Sequence, residues 1–220
     1  LTKMGRRHTV LGPLPCASLL LDGARYLRSR SWPRAIAGIL GVAADLTLRS
    51  IQAMYLTAPP DVRIEHISRF DSAVDELTFE CGNASGYWCP RGSEFLNWRY
   101  FDNPGNSYLA RAVSVNQRLA GYSVVRLGRQ QATLMEFSVL PAMEFSAGAL
   151  LGATAAAARE AGCMSINFYS TSAWRYWNLL YRAGFLRRKA RMYRTARCPD
   201  RPDASREENW RLVPGDSDVH

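Results

Sequence analysis

From Val62 onwards the chain switches between two hydrophobic periods. Val62–Ile67 (VRIEHI) alternates apolar and polar residues, the pattern of a half-buried strand. Asp71–Cys81 opens on a capping aspartate and continues at helical spacing. Ser93 begins a second short helix that must close before Pro104, because the residue preceding a proline is pushed out of the helical region. Three strand-like runs follow, Tyr108–Val115, Leu119–Leu127 and Ala132–Val139, with Asn116–Arg118 and Gly128–Gln130 as turns. An alanine-rich helix over Phe145–Ala161, a strand over Met164–Tyr169, a helix over Ser172–Gly184 and a long strand over Phe185–Thr195 complete the regular part. Cys198–Asn209 reads as a polar loop, and Trp210–Val213 as a last short strand. A meander followed by strand, helix, strand, helix and strand predicts an α/β (α+β mixed-sheet) fold, with one central sheet flanked by helices on both faces.

Upstream, Ser31–Leu56 reads as a helix, with Ser31 as cap, Pro33 in the first turn, and Ile36, Leu40, Ala43 and Leu46 at helical spacing. Its polar side (Arg34, Asp45, Arg49, Gln52) is not rich in cations, which favours a core-packing helix over a membrane-surface one. Thr57–Pro60 ends it, since proline cannot continue a helix, and a boundary is placed there. The expected division is residues 1–60, a domain over 61–215 and an acidic tail over 216–220. No uninterrupted apolar run reaches the roughly 18 residues of a membrane span. The longest, Ala35–Ala44, is closed by Asp45. The chain opens on Leu1, which reads as a piece of a longer protein.

Composition narrows the function classes. With 47% apolar residues the chain is globular and not disordered. Of its 28 basic residues all but Lys3 and Lys189 are arginine, and the net charge is +9. Such a surface favours anionic partners. Arg187–Arg211 is the most basic stretch, yet no helix-turn-helix or RNA-binding motif frames it, so a solvated strand and loop is expected and no nucleic acid. The spacing of Cys81 and Cys89 is wrong for a zinc knuckle, and scattered cysteines fit reduced thiols in a cytoplasmic protein. His8, His66 and His220 are isolated, so no metal is expected, and Ser138 has no nucleophile-elbow context.

Three stretches carry a resemblance. Glu136–Pro141 (EFSVLP) and the helix after it, Leu179–Phe185 (LLYRAGF), and the element order together resemble the GCN5-related N-acetyltransferase (GNAT) superfamily. Phe95–Pro104 (FLNWRYFDNP) is similar to a subgroup of acetyltransferase-like proteins of polysaccharide biosynthesis, in which two lobes often sit in tandem. Lys3–Arg7 (KMGRR) resembles the end of a GNAT motif, which would make residues 1–60 the tail of a preceding lobe plus a connecting helix.

The resemblance implies acetyl-CoA as co-substrate, with pantetheine on the backbone of Phe137, Ser138 and Val139 and the pyrophosphate on the helix N-terminus at Ala147, Gly148 and Ala149. A helix N-terminus offers free N–H groups and a positive dipole end to phosphate. Glu144–Ala149 departs from the usual Arg/Gln-x-x-Gly-x-Gly/Ala by lacking its cation. Glu136 is the implied general base, and its other reading is a strand carboxylate paired with arginine. Tyr181 is the implied acid, one position out of the family's register, where Leu180 stands. Trp98, Arg99 and Tyr100 would border a small polar amine acceptor such as an amino sugar, or the two aromatics would pack in the core. Two readings stay open: an acetyl-CoA-dependent N-acetyltransferase, and a catalytically silent lobe of the same fold with a scaffolding or partner-binding role.

Overall fold

In the computed structural model, residues 9–56, 58–82, 88–103, 105, 107–189, 193–196, 206, 209–210 and 212–216 are described. In chain order the elements are β1 (Thr9–Pro13), β2 (Cys16–Leu20), α1 (Gly23–Ser29), α2 (Arg34–Tyr55), β3 (Val62–Ile67), α3 (Ala73–Gly82), α4 (Ser93–Tyr100), β4 (Ser107–Val115), β5 (Arg118–Leu127), β6 (Gln131–Val139), α5 (Ala147–Glu160), β7 (Ser165–Tyr169), α6 (Trp177–Arg182), β8 (Leu186–Arg188) and β9 (Tyr193–Ala196).

The predicted meander forms. Strands β3 to β6 are antiparallel neighbours, and β7 lies parallel to β6 after the α5 crossover. One apolar cluster fills the space between the sheet and α5 and α6, with Leu134, Phe137, Leu150, Leu151, Ile166 and Phe168 at its centre. A second, around Val74, Leu77, Leu96, Tyr122 and Met135, joins the opposite face to α3 and α4. The sheet is therefore mixed and covered on both sides, as its order of elements implies.

The far half of the sheet differs from the expectation. The strand order is β3-β4-β5-β6-β7-β2-β8, so Cys16–Leu20 lies between β7 and β8 and is antiparallel to both. Ala17 and Leu19 on β2 are fully buried. Residues 61–215 thus do not complete the sheet by themselves. The predicted long strand over Phe185–Thr195 is instead two short ones: β8 pairs with β2, and β9 pairs with β1 in a separate two-stranded sheet. Trp210, Leu212 and Val213 form no strand, and Pro214–Asp216 makes a short 3₁₀ turn. The predicted helix over Ser172–Gly184 is regular only in α6. The Lys3–Arg7 motif, Cys198 and residues 217–220 lie outside the described residues.

The connecting helix is also corrected. Helix α2 is not a core helix: its inner face holds Ala37, Gly41 and Gln52, while Ile39, Leu46 and Met54 face outwards. Arg34–Met54 is long and apolar enough, by length and composition, to cross a membrane, although its apolar run is interrupted by Asp45. It packs against α1 through glycines, and a methyl group on Gly41 would collide with the backbone of Ala24. Gly41→Val is expected to cost about 1–3 kcal/mol through overpacking. A denaturant melt unchanged from wild type would show that the hairpin can open at no cost.

Candidate functional site

A bulge on β6 builds the site. Val124 faces Glu136 across the β5 ladder while the next residue, Val125, faces Leu134, so Met135 is the extra residue. The bulge breaks the two-residue period. Leu134 and Phe137 both join the cluster under α5, whereas Met135 joins the cluster under α3 and α4. Glu136 is turned to that second side, where it is 3% exposed.

Its Oε1 accepts from Arg91 Nε (2.9 Å) and from the Tyr100 hydroxyl (2.7 Å). Arg91 Nη2 donates to Asp216 Oδ1 (2.5 Å), and Nη1 donates to the Cys89 carbonyl (2.9 Å). The guanidinium also lies over the Phe95 ring, 5.2 Å from its centroid. Each partner is placed by its own element. Thr78 on α3 donates its hydroxyl to the Arg91 carbonyl (2.6 Å), and Asn97 on α4 pairs through both amide atoms with the Phe70 backbone. Asp216 Oδ2 accepts from the Val213 N–H (2.9 Å), which closes the last described turn over the site. One arginine thus bridges two carboxylates 80 positions apart in the chain.

The electrostatics follow from burial. Removal from water pushes the Glu136 carboxyl up, and Arg91 works against that shift. Burial disfavours the Arg91 charge, but Glu136 and Asp216 outweigh it and hold the guanidinium more basic than usual. The Tyr100 phenol is raised by burial and by the neighbouring Glu136 charge, so it stays a donor. A methyl group on Gly215 would meet both Glu136 Oε1 and the Tyr100 hydroxyl. Gly215→Ala is expected to push the last turn off the site and lower stability by about 1–3 kcal/mol. A thermal melt matching wild type would show that the turn is not seated there.

Beside this cluster the sheet opens. The β6–β7 ladder ends at Thr133 and Asn167, although both strands continue. The gap is occupied by aromatic rings. Phe137 packs edge-on to Trp174 and Tyr176, and Phe168 lies 4.3 Å from Trp174 between centroids. The Tyr176 hydroxyl donates to the Val139 carbonyl (2.7 Å) and accepts from the Val139 N–H (3.2 Å). A cavity of about 50 Å³ remains, bounded by Cys81, Arg91, Glu136, Ser138 and Trp174. Burial pushes the Tyr176 phenol up to about 12. An unfolded tyrosine ionises near 10. Its contribution to stability is therefore fully present below about pH 10 and is lost as the pH rises to about 12. Tyr176→Phe is expected to flatten that part of the pH–stability curve, and an identical slope in both proteins would reject the assignment.

No protein-family model matches the chain, and no curated protein sequence matches it. Among solved structures it is similar to a GCN5-related N-acetyltransferase from Anabaena variabilis, with a TM-score of 0.54 over 88% of this chain and 42% of that one, at 8% identity. The chain has the GNAT fold. It also aligns with a functionally unknown conserved protein from Staphylococcus epidermidis (TM-score 0.49, 12% identity, 80% of this chain and 58% of that one). A probable N-acyltransferase from Enterococcus faecalis aligns similarly (TM-score 0.49, 11% identity, 84% and 40%). The chain spans between 40% and 58% of the length of these structures.

Within the GNAT fold the sequence-predicted residues fall in different places. Glu136 and Tyr100 meet in the buried cluster, where the Tyr100 hydroxyl donates to the carboxylate. Phe137, Ser138 and Val139 line the gap, but Tyr176 takes both backbone groups of Val139. Ala147, Gly148 and Ala149 form the first turn of α5 and are buried, with Glu144 in the preceding turn bound by Arg175 (2.7 Å). Trp98 is 60% exposed on α4 and Arg99 is half-buried, so the Trp-Arg-Tyr triplet points in separate directions. Tyr181 stacks on Trp177 under the Arg187 guanidinium, outside the Glu136 cluster.

Arg91, Asp216, Trp174 and Tyr176 complete the site and were not singled out as partners of Glu136 or Val139 in the sequence. Arg91 sits between Pro90 and Gly92 with no periodic neighbours, and Asp216 is 80 residues beyond Glu136. The one available signal was the second reading of Glu136 as a strand carboxylate paired with arginine.

Proposed function

We propose that this chain is a catalytically silent lobe of the GNAT fold that serves as a scaffold or partner-binding unit. The observation that carries the reading is the Tyr176 hydroxyl on both backbone groups of Val139, the place where the resemblance puts pantetheine. Three further features support it. The gap holds Phe137, Trp174 and Tyr176 in mutual contact, the first turn of α5 is buried, and the Glu136 carboxylate already has an arginine and a tyrosine on one oxygen. Glu136 is also only 3% exposed, and a base must come within hydrogen-bond reach of the proton it takes. Titration calorimetry with acetyl-CoA tests the reading. No saturable heat is expected with the wild-type chain. Saturable one-to-one binding that Gly148→Glu abolishes would overturn it.

One observation favours a second reading, an acetyl-CoA-dependent N-acetyltransferase acting on a small polar amine such as an amino sugar. The cavity beside Glu136 and Ser138 adjoins the end of β6, and a carboxylate raised by burial suits a general base. This reading requires Tyr176 to leave Val139 when donor binds. It expects acetyl-CoA binding to survive Glu136→Gln, while turnover falls by about 10²-fold or more.

A further inference from the structure

The outer side of α2 has no partner among the described residues. Its exposed positions Ile36, Ile39, Leu40, Val42, Leu46 and Met54 cover about half the helix circumference at 100° per residue, and Ile39 and Met54 are more than 70% exposed. The two hydroxyls on that side are turned inwards: Thr47 donates to the Ala43 carbonyl (2.9 Å) and Ser50 to the Leu46 carbonyl (3.0 Å). A hydroxyl satisfied by its own helix needs no water. The face is therefore apolar in its bonding as well as in its composition.

Arginine predominates among the charges around it. The hairpin of α1 and α2 exposes Arg25, Arg28, Arg30, Arg34 and Arg49. Its two carboxylates are both occupied by backbone donors, Asp22 by the Arg25 N–H (2.8 Å) and Asp45 by the Gly23 N–H (2.7 Å). Trp32 stands 46% exposed in the turn between the helices, amid Arg28, Arg30 and Arg34. Tryptophan and arginine at the end of an apolar face match the boundary between acyl chains and headgroups.

We propose that the outer face of α2 docks on an anionic lipid bilayer, with the helix lying in the plane of the surface. Spanning is excluded by the inner face: Gly41 is against Ala24, and Asp45 and Gln52 point into the lobe. A second copy of the chain is a poorer occupant, because two such hairpins would bring their exposed arginines together. This docking surface is separate from the Val139 gap, so it stands whichever reading of that gap holds.

Flotation of the full chain with vesicles tests the proposal, using phosphatidylglycerol mixed with phosphatidylcholine and phosphatidylcholine alone. Binding is expected on the mixed vesicles and to be much weaker on the neutral ones. Arg28→Gln, Arg30→Gln and Arg34→Gln should each weaken it by roughly fivefold, the share of one basic residue near an anionic surface. Ile39→Ser with Leu46→Ser should weaken it by at least tenfold. Both positions are exposed, so the variant's melt should overlay wild type; should it not, Met54→Ser alone makes the same comparison. Three results would overturn the proposal: no binding to the mixed vesicles, equal binding by wild type and the apolar variants, or a dimer by sedimentation that those variants abolish.

Discussion

Arg91→Ala is expected to lower stability by about 3–5 kcal/mol, because it leaves the buried Glu136 charge without its cation. For a chain of this size that corresponds to a fall in Tm of about 10 °C. The effect is large because Arg91 is shared: the same side chain holds Glu136 on β6 and Asp216 in the last turn, and both contacts are largely removed from water. Glu136→Gln should cost much less, since an amide oxygen still accepts from Tyr100 and Arg91. Replacing Arg91 and Glu136 together by leucines should recover part of the loss, as apolar side chains of similar volume often replace a buried ion pair without penalty. Urea melts of Arg91→Ala, Glu136→Ala and the double alanine mutant give the coupling directly. An Arg91→Ala protein within about 1 kcal/mol of wild type would mean that the bridge is not what braces this corner.

Removing residues 1–60 is expected to abolish cooperative unfolding. Among the described residues β8 has no sheet partner other than β2, and β7 loses one of its two neighbours. The buried side chains of Ala17 and Leu19 would also leave a hole in the main cluster. A milder version is Leu19→Ala in the intact chain, for which a loss of about 2–5 kcal/mol is expected. Calorimetry of the 61–220 fragment decides the point. A single sharp transition there would show that the remaining strands can close without Cys16–Leu20, and the N-terminal segment would then be an accessory to the sheet.

The same comparison separates what was legible in the chain from what was not. Local periodicity places β3 over Val62–Ile67 as observed, and it sets the meander within a residue at each end. It sets the alanine-rich helix within two residues. The resemblance located Glu136 and the end of β6 as the region of interest. Helix α2 was also found, but its environment was misjudged. Helical spacing of apolar residues marks a face without saying what covers it, and Ile39 and Met54 turned out to face away from the lobe.

Alternation and capping depend on neighbours a few residues apart, so the amino-acid sequence by itself determined the elements from Val62 to α5, their order and hence a mixed sheet between two helical layers. Pairing over long separations leaves no local trace. Cys16 meets Tyr169 and Arg188 only because the slot between β7 and β8 has unpaired backbone to satisfy. The extra residue Met135 conforms to no period, yet it sends Glu136 to the side where Arg91 and Tyr100 wait. Asp216 reaches Arg91 across 125 residues because a charge leaving water needs every partner within reach. Those choices, and the closing of the Val139 gap by Tyr176, belong to the tertiary structure: they are settled by which groups must be satisfied once the core excludes water.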